Sequence, residues 1–184
     1  MREDLIVQGF QTILEGLGIN GKLDDLRDTP ARAAKFLSEC LSNQGVDNAG
    51  IAKRYAKVFP VTHNDPVIVT GIPIFSFCEH HIALMYDMTV DVAYLPDGWV
   101  LGLSKISRIA DAASRKLQIQ ERLTSDIADI ISIAAKPRAV LVRIRGKHAC
   151  VTARGIRKDA ETLTEAARGD EIYINNLRGL LWTR

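Results

Sequence analysis

The chain has 184 residues, of which 47% are hydrophobic and 25% are charged, values typical of a globular protein with one substantial core. A formal net charge of +2 gives no case for nucleic-acid binding, and no apolar run approaches the roughly 20 residues that cross a bilayer. The start of the chain lacks the basic and apolar segments of a signal peptide. We therefore expect a cytoplasmic protein of one domain, residues 1–184, with neither nucleic acid nor a membrane as partner.

The first part of the chain has the pattern of helices. Apolar side chains recur at helical spacing over residues 4–17. A second helix is predicted over residues 28–41, because an acidic cap residue followed by Pro30 is typical of a helix start. A third, shorter helix is predicted over residues 49–57. Residues 1–60 are therefore interpreted as an N-terminal helical region.

After residue 64 the apolar period changes from helical to alternating, which indicates strands. The predicted elements are strands over 67–75 and 88–94, helices over 104–114 and 119–135, a strand over 139–152 and a fourth strand that opens at 162–164. The order ββααββ favours an α+β fold class. We assign this core to residues 65–170 and a C-terminal tail to residues 171–184.

Two short clusters, Cys78-Glu79-His80-His81 and His148-Ala149-Cys150, hold two of the three cysteines and three of the four histidines. Cys78 and His81 can converge on a tetrahedral ion from one turn, and Cys150 can add a third ligand. Three protein ligands leave one position for water, which is typical of a catalytic zinc. His80 and His148 then remain for proton transfer. On the predicted third strand His148 and Cys150 are two apart, so we expect them on one face.

Three alternatives to a catalytic metal stay open at this point. Free cysteines are commonly small buried hydrophobes. A structural zinc is possible if His80 or His148 completes a set of four ligands. A disulfide between Cys78 and Cys150 is the third alternative, and three cysteines without a secretory signal disfavour it.

The two clusters belong to a longer series of segments that resembles the GTP cyclohydrolase I family. The segments follow one another in the family's order and cover about residues 13–169. The segments that carry the resemblance are Gly16 to Gly18, Leu26 to Ala34, Phe75 to His81, Val92 to Pro96, Gly102 to Ile109, Gln118 to Thr124, His148 to Gly155 and Thr162 to Thr164.

The resemblance implies a fold, a reaction and an assembly. The fold is the tunnelling fold, an antiparallel ββααββ sheet with helices on one face, preceded by the helical region. The reaction converts GTP and water to 7,8-dihydroneopterin triphosphate and formate, by hydrolytic ring opening, deformylation, rearrangement and reclosure, as a step of pterin and tetrahydrofolate biosynthesis. The family's subunits form a ring-like homo-oligomer, usually a decamer, with sites between subunits.

The resemblance also implies roles for the residues of the two clusters. Cys78, His81 and Cys150 match the family's zinc ligands, and the zinc would activate a water for attack at C8 of the guanine. His148 matches a catalytic histidine that protonates the imidazole ring of the base. His80 would assist later proton transfers on the opened ribose, together with Ser104.

Five further residues match the family's substrate contacts. Glu121 would accept hydrogen bonds from the guanine N1–H and amino group, which excludes adenine, and Gln120 beside it matches another contact. The three remaining residues, which would bind the triphosphate through cationic donors, are Lys105, Arg108 and Arg154. Taken one at a time, such charged residues are more often solvated surface groups.

The chain departs from the family pattern in places. Ile82 to Tyr86 replaces a Pro-Phe-like segment after His81, and Leu117 replaces a usual proline. These departures leave room for a specialised paralogue that opens the guanine ring without completing the pterin. A nitrile reductase of the same fold needs a nucleophilic cysteine and no zinc triad, and a non-catalytic nucleotide-binding relative would release no formate.

Overall fold

A computed structural model of the chain describes residues 1–19 and 26–182. Residues 20–25 of the predicted helical region and residues 183–184 of the predicted tail lie outside the described residues. The described residues form two compact units, Met1–Gln44 and Gly45–Arg184. The prediction of a single domain stays a prediction.

The first unit contains two helices that pack against each other, α1 (Glu3–Gly16) and α2 (Thr29–Cys40). Both lie where the sequence predicts them. Pro30 stands in the first turn of α2 as expected. The Asp28 carboxylate, however, pairs with Arg32 at 3.2 Å and makes no side-chain capping bond.

The second unit contains the sheet and the remaining helices. Its elements are α3 (Asn48–Tyr55), β1 (Val58–Pro60), β2 (Val67–Cys78), β3 (Ala83–Leu95), β4 (Trp99–Leu101), α4 (Leu103–Ser114), β5 (Leu117–Gln118), α5 (Gln120–Ala135), β6 (Ala139–His148), α6 (Ala149–Thr152), β7 (Thr162–Gly169) and α7 (Glu171–Trp182). The predicted ββααββ order of the long elements is confirmed.

The main sheet has five strands in the order β5-β2-β3-β6-β7, and β1 pairs separately with β4. All neighbours in the main sheet are antiparallel except β2 and β5, which are parallel. Strand β2 has a register shift against β3 between Val69 and Ile72. Gly71 lies there with a φ of 70°, a conformation that glycine adopts without strain. Its N–H donates to Asp91 Oδ1 at 2.8 Å.

The two faces of the sheet bury different helices, because successive residues of a strand point to opposite sides. On β6, Val140, Val142 and Ile144 join the large core under α4 and α5. Leu141 instead joins a smaller core that includes Leu177 of α7. Helices are predicted on one face only, with residues 171–184 as a tail, so α7 on the second face is an addition to the predicted fold.

One predicted strand ends earlier than expected. Strand β6 stops at His148, and the following residues form the short helix α6 rather than continuing to residue 152. Cys150 therefore lies on a helix, and the prediction that it shares a strand face with His148 is wrong. Among the described helices, none is long and apolar enough to cross a membrane.

Candidate active site

The side chains of Cys78, His81 and Cys150 converge, with one ligand atom from each lying within 4.8 Å of the others. Cys78 is the last residue of β2 and is buried, and His81 lies in the four-residue turn that leads to β3. Cys150 reaches the same place from α6. Two sulfurs and one imidazole at this separation can hold a single tetrahedral ion.

Pairing of β3 with β6 brings the two distant segments together. Met85 near the start of β3 lies opposite His148 at the end of β6, so α6 begins beside the turn that carries His81. The helix is tied down by Thr152, whose hydroxyl accepts a hydrogen bond from Tyr86 Oη at 3.0 Å and donates to the His148 carbonyl at 3.3 Å. Sheet register, not local sequence spacing, therefore builds the cluster.

The turn after β2 is braced by Arg122 of α5. Its guanidinium pairs with the Glu79 carboxylate and donates from Nε to Gln118 Oε1 at 2.8 Å and from Nη2 to the Leu117 carbonyl at 3.0 Å. The hydrogen bond from Arg122 lowers the pKa of Glu79. Glu79 thus holds the turn, and its backbone N–H also donates to the Gln118 carbonyl at 3.0 Å. Ile82 completes the turn with a φ of 49°, which is strained for a β-branched residue.

His80 lies at the open side of the cluster. Its side chain is 65% exposed. The Nδ1 atom lies 3.8 Å from Cys78 Sγ, and the Nε2 atom lies 4.0 Å from Glu79 Oε1. The imidazole is thus close to a candidate ligand and accessible from outside, as a proton-transfer group requires.

His148 is half-buried and anchored from the inside. Its Nε2 lies 2.8 Å from Gln120 Oε1. Burial lowers the pKa of His148, and the Glu121 carboxylate opposes this shift. Glu121 is exposed at the first turn of α5, so its carboxylate is available to a ligand beside His148.

Gln120, the first residue of α5, lies inside the protein. The residue is completely buried, and its Nε2 donates to the carbonyls of Ile144 at 3.0 Å and Thr162 at 2.9 Å. Its Oε1 faces His148. The amide is therefore engaged with protein groups, and its contact with a substrate stays a prediction.

The electrostatics of the cluster suit a cation. Burial raises the pKa of the Cys150 thiol, and the adjacent Cys78 sulfur raises it further. A bound cation reverses this situation, because it favours both thiolates. Arg154 lies at the rim, where its Nη1 approaches His81 Nε2 at 2.8 Å. Since a guanidinium only donates, the Nε2 atom accepts this bond. Once His81 binds a metal, Nε2 either is the ligand atom or carries the ring hydrogen, so Arg154 is released from it.

Ser104, Lys105 and Arg108 lie apart from the cluster. They belong to the first turns of α4, whereas the last residue of that helix, Ser114, accepts a hydrogen bond from Ser76 Oγ at 2.8 Å, two residues before Cys78. Ser104 and Ser114 are ten positions apart on the helix, which is about 15 Å along its axis. The structure therefore does not bring these three residues to the cysteines and histidines of the same chain.

The start of α4 faces a cavity of its own. The cavity has a volume of about 690 Å³, and its lining includes Ser104 and Arg108 together with Tyr55, Gly71 and Asp111. The exposed guanidinium of Arg108 is therefore accessible from this cavity. The sequence-predicted residues thus fall into two groups, one at each end of β2.

Sequence reasoning did not identify the residues that support the cluster. Arg122 stands within a segment that resembles the family, so its position was visible, although its contact with Glu79 was not. Thr152 and Thr164 also stand within such segments, but their contacts were not visible, because their partners come from other elements of the fold. The hydrogen-bond partners of these hydroxyls are set by strand pairing, which only the structure shows.

Comparison with known proteins shows the family of this chain. The family described as GTP cyclohydrolase I matches residues 6–178. GTP cyclohydrolase 1 of Clostridium acetobutylicum is 43% identical over 95% of this chain and 95% of its own length. GTP cyclohydrolase 1 of Clostridium botulinum is 42% identical over 97% and 96%, and that of Clostridium beijerinckii is 41% identical over 94% and 90%.

Among solved structures, a crystal structure of the archaeosine synthase QueF-Like in the apo form aligns with 58% of this chain and 93% of that chain. Its TM-score of 0.44 at 21% identity is too low to carry an argument. The family match over residues 6–178 and the relatives that align over nearly their whole length show the family of this chain. The chain therefore belongs to the GTP cyclohydrolase I family, and its α+β architecture is the tunnelling fold of that family.

Proposed function

We propose that the chain catalyses the conversion of GTP and water to 7,8-dihydroneopterin triphosphate and formate. Family membership and relatives named GTP cyclohydrolase 1 over nearly the whole chain support this reaction. The observation that carries it is the convergence of Cys78, His81 and Cys150 beside two further histidines. None of the relatives reported above is named for ring opening alone, so the paralogue alternative gains no support.

A zinc ion is the metal that we propose for Cys78, His81 and Cys150. The donor set fits, because two thiolates and an imidazole are soft ligands that suit zinc and their atoms lie within 4.8 Å of one another. When bound, the ion supplies Lewis acidity and a water that ionises near neutral pH. A fourth protein ligand is not needed for this role, which leaves His80 and His148 for proton transfer.

His148 is proposed to donate the proton that makes the imidazole ring of GTP susceptible to hydrolysis at C8. Its partial burial and its bond to Gln120 hold the ring in one orientation beside the ligand cluster. Burial keeps the pKa of His148 below its usual value, which makes its protonated form a stronger acid. His80, which is exposed, is proposed to exchange protons with the opened ribose.

Glu121 is proposed to bind the guanine edge, because its carboxylate is exposed next to His148 and accepts hydrogen bonds only. Arg154, at the rim beside His81, is proposed to bind the triphosphate. Gln120 takes no direct part in this scheme. It acts through His148.

A homo-oligomer is proposed because the predicted residues fall into two groups. Ser104 and Lys105 lie on the order of 15 Å along α4 from Ser114, which contacts the strand leading to Cys78, and Arg108 lies one turn further along the helix towards Ser114. A site that uses both groups requires the start of α4 from a neighbouring subunit. The ring-like decamer that the resemblance implies supplies such a neighbour, and an isolated chain should be inactive.

The reaction is tested by incubating metal-loaded protein with GTP and measuring formate and pterin fluorescence together. Formate and pterin are expected in equal molar amounts. Formate without a pterin would contradict the complete reaction, and absence of both would contradict any hydrolysis of GTP. Metal content is measured on the same samples by mass spectrometry, with about one zinc expected for each chain.

Two variants assign the roles of the cluster. Cys150→Ala should lose both metal and activity, whereas the matched control Cys40→Ala removes a buried cysteine of α2 and should keep the metal. His148→Ala should keep the metal and lose hydrolysis at C8 by about 10²- to 10⁴-fold. Loss of metal from His148→Ala would mean that His148 is a ligand instead.

A further inference from the structure

The buried amide of Gln120 has only one possible orientation. Its Nε2 faces the carbonyl oxygens of Ile144 and Thr162, and a carbonyl oxygen can only accept a hydrogen bond. The NH2 group must therefore point to these two carbonyls. Rotating the amide by 180° would place oxygen against oxygen in a fully buried place, at a high cost in free energy.

The neighbouring threonines lock the same orientation. Thr124 Oγ1 donates its one hydrogen to the backbone carbonyl of Gln120 at 2.7 Å. In the 2.6 Å contact between the two threonine hydroxyls, the hydrogen therefore comes from Thr164. Thr164 Oγ1, which lies 3.2 Å from Gln120 Nε2, can then only accept, and it shares one of the two Nε2 hydrogens with a carbonyl. The ring of donors and acceptors is consistent only when Nε2 faces Thr164.

The orientation of Gln120 decides the protonation of His148. Gln120 Oε1 is an acceptor, so the His148 Nε2 atom that lies 2.8 Å away must carry a hydrogen. In the neutral ring the other nitrogen, Nδ1, is then without a hydrogen. Because the two ring nitrogens point in diverging directions, Nδ1 faces away from Gln120.

We propose that Gln120 is a positioning residue that holds His148 as the Nε2–H tautomer, so that Nδ1 is the atom through which His148 exchanges a proton with the substrate. This inference rests on the proposed function for the role of His148. It adds the transferring atom, and it gives Gln120 a role through His148 in place of a substrate contact. A fixed tautomer saves the ring from reorienting before each proton transfer.

The test combines spectroscopy and kinetics on the metal-loaded protein. Solid-state NMR of sedimented protein labelled with ¹⁵N-histidine distinguishes a protonated from an unprotonated ring nitrogen at any oligomer size. The chain has four histidines, and the His148→Ala spectrum assigns the signals of His148. We expect protonated Nε2 and unprotonated Nδ1 in the neutral ring. The opposite pattern in the unaltered protein would overturn the proposal without any variant of Gln120.

Gln120→Met keeps the volume of the side chain and removes its acceptor. We expect a mixture of the two His148 tautomers and a decrease in kcat on the order of 10²-fold. The KM should stay within about 3-fold of the original value, because only the transition state uses the aligned ring. Thr164→Val is the control for the tautomer, because Gln120 keeps both carbonyl partners there and Nε2–H should persist. A folded, metal-containing Gln120→Met with unchanged kcat would refute the positioning role.

The outcomes separate this inference from the proposed function. If His148→Ala hydrolyses GTP at the original rate, the proposed role of His148 fails and the positioning role fails with it. If His148→Ala is inactive but Gln120→Met keeps both the single tautomer and its kcat, only the positioning role fails. Should Gln120→Met not fold, the tautomer in the unaltered protein still decides between the two nitrogens.

Discussion

Glu165 lies between two arginines, and its replacement by glutamine should measurably destabilise the second unit. Its Oε2 accepts from Arg143 Nε at 2.8 Å, and its Oε1 accepts from Arg178 Nε at 2.8 Å. The Arg143 side chain is only 3% exposed, whereas that of Arg178 is 38% exposed. The two ion pairs therefore join β6 and β7 to α7 around the largely buried carboxylate of Glu165.

The expected loss of stability follows from the different exposure of the Arg143–Glu165 and Arg178–Glu165 ion pairs. Removing one partner of a buried ion pair costs about 3 kcal/mol, because the remaining charge loses its compensation, and an exposed pair contributes about 0.5 kcal/mol. Glu165 is itself 26% exposed, so solvent screens part of the first value. We expect Glu165→Gln to lower the free energy of unfolding by about 2 kcal/mol.

The assay is urea unfolding followed by circular dichroism at neutral pH. Glu161→Gln removes the same charge from an exposed residue just before β7 and should change stability by less than about 0.5 kcal/mol. Arg178→Met removes only the exposed pair and should cost about 0.5 kcal/mol. Equal stability of Glu165→Gln and the unaltered protein would refute the assignment of a compensated buried charge.

The same residue predicts a dependence on pH. Burial raises the pKa of Glu165, but the guanidiniums of Arg143 and Arg178 outweigh it, so the pKa lies below its usual value. The contribution to stability is then complete above the pKa of the unfolded chain, about 4.3, and is lost as the pH falls through the lower folded value. The stability difference between Glu165→Gln and the unaltered protein should shrink at acid pH. A difference that grows below pH 4 would contradict the sign.

Three further variants test other parts of the structure. Arg122→Met removes the brace of the turn after β2 and should weaken metal affinity by about 10-fold in a chelator competition. Arg115→Met, which loses an ion pair at the end of α4, should not change the affinity. Ile82→Gly should raise the free energy of unfolding by about 1 kcal/mol in urea because it relieves a left-handed backbone, and unchanged stability would show that the turn is unstrained. Gly169→Ala places a Cβ 2.1 Å from the Arg138 carbonyl oxygen and should lower the melting temperature, an effect that calorimetry measures directly.

The sequence alone determined the types of the long elements and the residues of the cluster. Alternation on β6 assigns Val140 and Val142 to one face, and helical spacing identifies α5, because these periods depend only on backbone geometry. The ligand types were evident from Cys78, His81 and Cys150, since few side chains bind zinc well. The ordered motifs also indicated the family to which the chain belongs.

The tertiary structure decided which of these residues meet. Cys150 was expected on a strand, yet β6 ends at His148, because pairing with β3 stops near Met85 and the chain turns into α6. The burial of Gln120 and its contact with His148 were not visible in the sequence, because β7, which packs on α5, comes from a distant part of the chain. Local patterns report how a segment folds. They carry no information on strand register, and strand register sets the distances between residues far apart in the chain.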